Sequence, residues 1–422
     1  MDFADGNSLV GGRSGWLPQR PRPQPGCVAL MRIGIDASCW WSRRGFGRFT
    51  RELVTAMFEE PRGHEFCLFV DRPPEPEMQR PGVNVIRVNT SRPVTEAAVA
   101  EGNRSIRDVW QFTRSVAAQP LDVMFFPAVY SWFPVPPRLK TVVTVHDAIA
   151  EHFPSLIFPD IKGRLLWSLK MRLARWQANR IMTVSNAAKG EIVEYLGIDP
   201  GAIDVVSEAA DPRFKPVVDH GTRQAARQRA GLPADVRIIV YVGGLAPHKN
   251  IPGLLSGLAA ATDQGGIEDV HLALVGDHDG DGFHSHYQEL LNLVKEDARL
   301  AGRVHFTGYV ADDDLVALYS DSLAVALPSF SEGFGLPAIE AMACGVPVLA
   351  SSAGSIPEVV GDAGLYFDPT RVDEIAAAIH QLATQPATLE QLEANALQRA
   401  ARFTWSRAAG LALNCLEGAV LS

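Results

Sequence analysis

Short, uninterrupted apolar runs recur along the chain and alternate with longer stretches of helical periodicity. In the first half the runs are MRIGIDA (31–37), EFCLFV (65–70), VNVIRV (83–88), VMFF (123–126), TVVTVHD (141–147), RIMTVS (180–185) and IDVVSEA (203–209). In the second half they are RIIVYVG (237–243), HLALVG (271–276), RVHFTG (303–308), LAVALP (323–328), PVLAS (347–351) and GLYFD (364–368). A strand with one wet face alternates apolar and polar residues; a continuous run marks a strand covered on both faces, as in a parallel sheet. The helical stretches between them predict βαβ units and doubly wound α/β sheets. A Pro-containing segment, Asp211–Pro216 followed by DHGT, reads as a linker. Two Rossmann-like domains are therefore expected, 31–218 and a second from 219 onward.

Composition narrows the class. Hydrophobic residues make up 47% and charged residues 21%, the balance of a folded globular chain. Residues 1–30 are rich in Gly and Pro and lack an apolar signal-peptide core, so they read as a disordered tail; Met31 is an alternative start. No apolar run nears the ~20 residues that span a bilayer. Net charge is −9, which argues against a nucleic-acid partner. The charge is uneven: residues 31–218 carry 24 basic against 21 acidic groups, and residues 219–422 carry 12 against 25. The first half is expected to face something anionic. Five scattered cysteines without a CxxC pair indicate neither a zinc ribbon nor a disulfide framework, and a cytoplasmic location fits.

Doubly wound sheets bind ligands beyond the carboxyl ends of their strands. Four segments sit there. PSFSEGFGLPAIEA follows LAVAL; Gly333 and Gly335 let backbone N–H groups approach a ligand, and Pro337 suits a first helical turn. That helix N-terminus would face an anion. Glu332 on the loop and Glu340 inside the helix would do different jobs for a hydroxyl-rich ligand. As ligand-binding groups both would face a solvated cleft; a tight strand-to-helix turn with solvated glutamates is the equal alternative. GGLAPHKN offers Gly243 and Gly244 for a tight turn and Lys249 for a phosphate, or else a Gly-rich loop with an exposed lysine. GFGRF, with Gly45 and Gly47, is a weaker phosphate-loop candidate. His146 and Asp147 end an apolar strand, where a histidine can donate to a substrate hydroxyl or bond to backbone.

Two further stretches carry charge. GDHDGDGFHSHYQE opens like an EF-hand at Asp277, Asp279, Asp281 and Gly282, but position twelve is Gln288, so an acidic surface loop is expected and no metal site. Residues 161–180 hold six basic groups and no acid, with Leu165, Leu166, Leu169, Leu173 and Trp176 at helical spacing. They read as an amphipathic helix packed on the sheet, or as one lying on anionic lipid.

In this order, MRIGIDAS…GFGRFTREL, VHDAI, IMTVSNAAKGEI, VYVGGLAPHKN, VHFTGYV and PSFSEGFGLPAIEAMACGVPVLASSAGSIPEVVGDAGLYFDP resemble family 4 of the retaining glycosyltransferases, of GT-B fold. The opening segments resemble bacterial mannosyltransferases of surface-polysaccharide assembly. The resemblance implies a nucleotide-sugar bound by a second domain over 219–400, GDP-mannose first among donors, and a saccharide or lipid-linked acceptor bound by 31–218. Residues 401–422 would form a terminal helix returning to the first domain. Glu340 would hold the ribose. Glu332 with Gly333, Phe334 and Gly335 would hold the transferred sugar. Lys249, with Gly244, Gly45 and Gly47 nearby, would meet the diphosphate, and His146 the reacting centre. No metal or other cofactor is implied. Apart from the resemblance, a cytoplasmic enzyme is expected, peripheral at the inner face of the membrane if 161–180 meets anionic lipid. Most relatives carry Arg where Gly244 stands; His248, Arg43 and Arg48 are the nearby substitutes. Glu208-Ala209 stands where relatives often have Asn-Gly. A catalytically silent sugar-nucleotide-binding subunit and a nucleotide-sugar epimerase of the same fold are the alternatives.

Overall fold

The computed structural model describes residues 30–91, 105–158, 160–276 and 287–422. All but Leu30 of the expected tail, and the Asp277–Asp281 loop, lie outside them.

The apolar runs form two parallel sheets. The first contains β1 (Arg32–Asp36), β2 (Glu65–Val70), β3 (Val83–Arg87), β4 (Val123–Phe126), β5 (Lys140–Thr144), β6 (Arg180–Thr183) and β7 (Ile203–Val205), in the order β3-β2-β1-β4-β5-β6-β7. The second contains β8 (Arg237–Val242), β9 (Val270–Val275), β10 (Val304–Gly308), β11 (Ala324–Leu327), β12 (Val348–Ser351) and β13 (Gly364–Phe367), ordered β10-β9-β8-β11-β12-β13. Every ladder is parallel. Both orders reverse direction beside the first strand of the domain, so each sheet has a switch point where a crevice opens.

Helices supply the crossovers: α1 (Gly45–Glu59), α2 (Ile106–Ala117), α3 (Ile149–His152), α4 (Pro154–Ile157), α5 (Ile161–Gln177) and α6 (Asn186–Leu196) in the first half. In the second half come α7 (His220–Arg229), α8 (Ile251–Thr262), α9 (Tyr287–Glu296), α10 (Asp312–Ser320), α11 (Leu336–Ala343), α12 (Ile356–Val360), α13 (Val372–Thr384), α14 (Pro386–Ala400) and α15 (Trp405–Leu421). Covered on both faces, the central strands are buried throughout; β4, β11 and β12 have no exposed position.

α15 packs on the first domain. Trp405, Ala409, Leu413 and Leu416, at helical spacing, are buried. Polar clasps fix its register: Arg62 donates to Asn414 at 2.7 Å, His64 Nε2 lies 3.1 Å from Glu417, and Trp405 Nε1 donates to the Ala210 carbonyl at 3.1 Å.

Two local expectations need correction. GFGRF is the first turn of α1 rather than a loop, and Gly47 there packs so tightly on Ser42 that a Cβ would strike its carbonyl oxygen. DHGT is not linker: Asp219 accepts from Thr222 N at 2.7 Å and caps α7. The linker itself is packed, with Phe214 buried.

Candidate functional site

β5 ends at Thr144, so His146 and Asp147 lie on the loop beyond its carboxyl edge. His146 is 9% exposed. Its Nε2 lies 3.0 Å from the Pro127 carbonyl oxygen, and its Nδ1 lies 3.5 Å from Glu208 Oε1. Phe49 of α1 packs edge-on against the ring, centroids 4.8 Å apart. β7 likewise ends early, at Val205, which puts Glu208 past its carboxyl edge. Burial pushes the Glu208 carboxyl upward, against the pull of His146. Burial also raises Asp147, whose Oδ1 accepts from Ile149 N at 3.1 Å.

The second domain faces this pair across the cleft. Gly335 has φ +96°, the left-handed turn that aims the chain into α11, and Pro337 sits in the first turn. Gly333 meets the first domain directly: a Cβ there would collide with the His146 carbonyl oxygen, and its own carbonyl accepts from Ser185 Oγ at 2.7 Å. Phe334 is buried against Phe403, centroids 5.6 Å apart. Glu332 stands on the loop. Lys249, just after β8, donates to both of its oxygens at 2.7 and 2.8 Å, and Ser329 Oγ donates at 2.6 Å. Burial alone would raise this carboxyl, but Lys249 and Ser329 hold it below its usual value. Gly244 turns its carbonyl toward the Tyr241 hydroxyl, which donates at 2.7 Å.

Glu340 is inside α11 and 4% exposed, so the expectation that both glutamates face a solvated cleft fails for it. Its Oε1 accepts from Arg48 Nη1, and Tyr319 lies 3.5 Å from Oε2. Arg48 also donates to Asp312 at 2.7 Å. Burial raises Glu340 to about 7, against the pull of Arg48. Gly45 lies against Leu336, so the starts of α1 and α11 meet.

Of the groups expected to stand in for the missing arginine, Arg48 and Arg43 each have a partner in the structure, as Lys249 has in Glu332. Arg48 belongs to the Glu340–Asp312 cluster, and Arg43 lies over the Tyr309 ring, 4.5 Å from its centroid. Burial, then Lys249, lower His248 to about 4, so at neutral pH it adds no charge. Sequence reading singled out Glu208 only as a departure and did not find Ser329 or Asp312. Glu208 had a signal, its place just beyond a strand; Asp312 is one of three consecutive aspartates, and nothing in the sequence marks it.

Two parallel-sheet domains with their strand ends turned to a shared cleft define the GT-B class of folds. Residues 222–399 match the model "Glycosyl transferases group 1" and residues 43–214 match "Glycosyltransferase Family 4". The O-antigen chain mannosyltransferase B of Escherichia coli is 33% identical over 291 residues, 68% of this chain and 72% of that protein. The D-inositol 3-phosphate glycosyltransferase of Rhodococcus opacus is 34% identical over 236 residues, 55% of this chain; the match spans 52% of that relative, about half its length. The chain belongs to the glycosyltransferase family these models describe. Solved structures agree on the fold: Anabaena HepE in complex with UDP and glucose superposes with TM-score 0.69 at 20% identity, over 92% of this chain and all of that one. Sucrose-phosphate synthase from Thermosynechococcus elongatus gives 0.68 at 21%, over 91% and 98%.

Proposed function

We propose that the protein is a retaining hexosyltransferase of glycan assembly, taking a hexose from a nucleotide-sugar to a saccharide or lipid-linked acceptor. The observation that carries this is the convergence of Glu332, Lys249, the Gly333–Gly335 turn and Glu340 on one side of a cleft, with His146 on the other. A carboxylate inside a helix suits the two ribose hydroxyls, and a lysine and a helix start suit a diphosphate. In this reading Lys249 and the α11 N-terminus take the leaving charge, and the reaction needs no metal. The diphosphate leaves from the face the acceptor hydroxyl approaches and takes its proton, so the anomeric configuration is kept. His146, oriented through Glu208, contacts the sugar at the reacting centre.

GDP-mannose is the favoured donor, supported by the mannosyltransferase likeness; HepE, solved in complex with UDP and glucose, makes UDP-glucose the comparison. Arg48 bonds Oε1 of Glu340, and the ribose hydroxyls are assigned to the same carboxylate.

The test is thermal stabilisation by a panel of nucleotide-sugars, then product analysis with the stabilising donor. A transferred sugar with its anomeric configuration kept supports the reading. Stabilisation without turnover would make the chain a silent binding subunit, the outcome to which Gly244 points. An isomerised nucleotide-sugar would make it an epimerase.

A further inference from the structure

α5 is anchored by one face and presents another of the opposite kind to its sequence expectation. Met171 and Ala174 are its buried residues. Trp167, on the same side, donates to Glu151 at 2.8 Å and packs on Tyr130, centroids 5.4 Å apart. The residues whose spacing had suggested core packing point away. Ile161, Leu165, Leu166, Leu169, Leu173 and Trp176 are exposed by 76, 65, 43, 53, 44 and 79%. At 100° per residue they fill one arc opposite Met171 and Ala174. Arg164, Arg172 and Arg175 follow along one edge of that arc, and Lys162 falls within it. No acidic residue occurs from Ile161 to Arg180. Leu169, Leu173, Trp176, Arg172 and Arg175 continue into a groove of about 710 Å³ that Ile198 lines from the other side.

We propose that this face of α5 seats the protein on an anionic lipid surface, the apolar arc entering the headgroup boundary and the arginine edge meeting lipid phosphates. A helix about 25 Å long with leucines and a terminal tryptophan outward, flanked by arginines, has the make-up of an interfacial helix. It lies on the bilayer: no helix among the described residues is long and apolar enough to cross one. A second copy of the chain fits less well, because a two-fold interface pairs a patch with itself and would bring two arginine edges together, with Asp199 in the groove and Asp160 at the helix start as nearby acids to offset them. The lipid face does not depend on the sugar chemistry. It is read from a surface remote from Glu332 and Glu340 in the sequence and would stand if the donor were misassigned.

The experiment is co-sedimentation of the full chain with vesicles of phosphatidylcholine alone and of phosphatidylcholine mixed with phosphatidylglycerol. Binding is expected to the mixed vesicles, falling as salt rises. Arg172→Gln with Arg175→Gln should weaken it about twenty-five-fold, at about fivefold per charge near an anionic surface. Leu165→Ser with Leu169→Ser and Trp176→Ser should abolish it. Both variants should melt with the wild type, since these side chains are on the surface. Equal binding to neutral and anionic vesicles, or either variant binding like the wild type, would overturn the proposal. So would a dimer, seen by sedimentation velocity without lipid, that the leucine–tryptophan variant breaks; that result would assign the face to a second copy.

Discussion

Two glutamates eight positions apart should fail in different ways. Glu340→Ala removes an acceptor proposed to bond the ribose in ground and transition states alike, so donor KM should rise more than kcat falls. Glu332→Ala removes a carboxylate beside the proposed reacting sugar, where positive charge develops; kcat should drop by ~2–4 kcal/mol of barrier. Their stabilities should also differ. Glu340→Ala leaves Arg48 buried with Asp312 alone, and the ligand-free protein should lose about 2 kcal/mol. Kinetics in both substrates and ligand-free melting curves check each arm; normal turnover by folded Glu332→Ala would remove this loop from the site. Glu208 is a positioning residue in this scheme. Glu208→Ala should lower kcat while leaving donor KM near the wild type, and Glu208→Gln, which can still bond the ring, should restore part of it. A pH–rate profile that shifts in Glu208→Gln marks action through His146, which a merely structural role would not produce.

Helix starts lie at both lips of the cleft, and that of α6 is held by a contact from the other domain. α6 begins at Asn186, and Glu358 of the second domain accepts from Asn186 N and Ala187 N at 2.9 Å each, a carboxylate on the positive end of a helix. Ser331 Oγ donates to Glu191 of α6 at 2.9 Å. Between them Gly333 touches the His146 loop. Gly333→Ala should therefore force the two loops apart, because the obstacle is backbone and cannot turn aside. Expected is a large loss of transfer activity with the secondary structure intact, read by circular dichroism beside the activity assay. Wild-type activity in Gly333→Ala would show that the domains need not meet at this point during turnover.

At the scale of the molecule, Arg48 joins the domains through the buried Glu340 and through Asp312, by charge as well as by chain. Glu340 and Glu52 are both raised to about 7, burial being the first cause in each. A carboxyl whose folded value lies above its unfolded one binds its proton more tightly in the folded state. Its stabilising effect is thus full below the ordinary value of 4.5 and fades as pH rises toward about 7. Ligand-free stability should decline across that window, and Glu340→Gln should flatten part of the decline. Melting temperature against pH for the two proteins measures it; an unchanged slope would show that Glu340 titrates alike in both states.

Strand content and sheet type were legible because burial on both faces writes itself as unbroken apolar runs. EFCLFV and VMFF appear as strands end for end. The runs overshot at TVVTVHD and IDVVSEA because apolar character continues past the last ladder bond into the ligand edge. The Glu332–Glu340 spacing, the positive-φ turn at Gly335 and the helix behind Pro337 are local features, and local chemistry reveals them. What meets across the cleft is not local. Arg48 and Glu340 are 292 positions apart, and only folding shows that the proposed ribose carboxylate is already engaged. The same holds for α5. Its periodicity was plain, but a helix with apolar residues on two sides has two possible inner faces. Which one packs depends on the shape of the neighbouring sheet, and the structure chose Met171 and Ala174 and left the leucines outside.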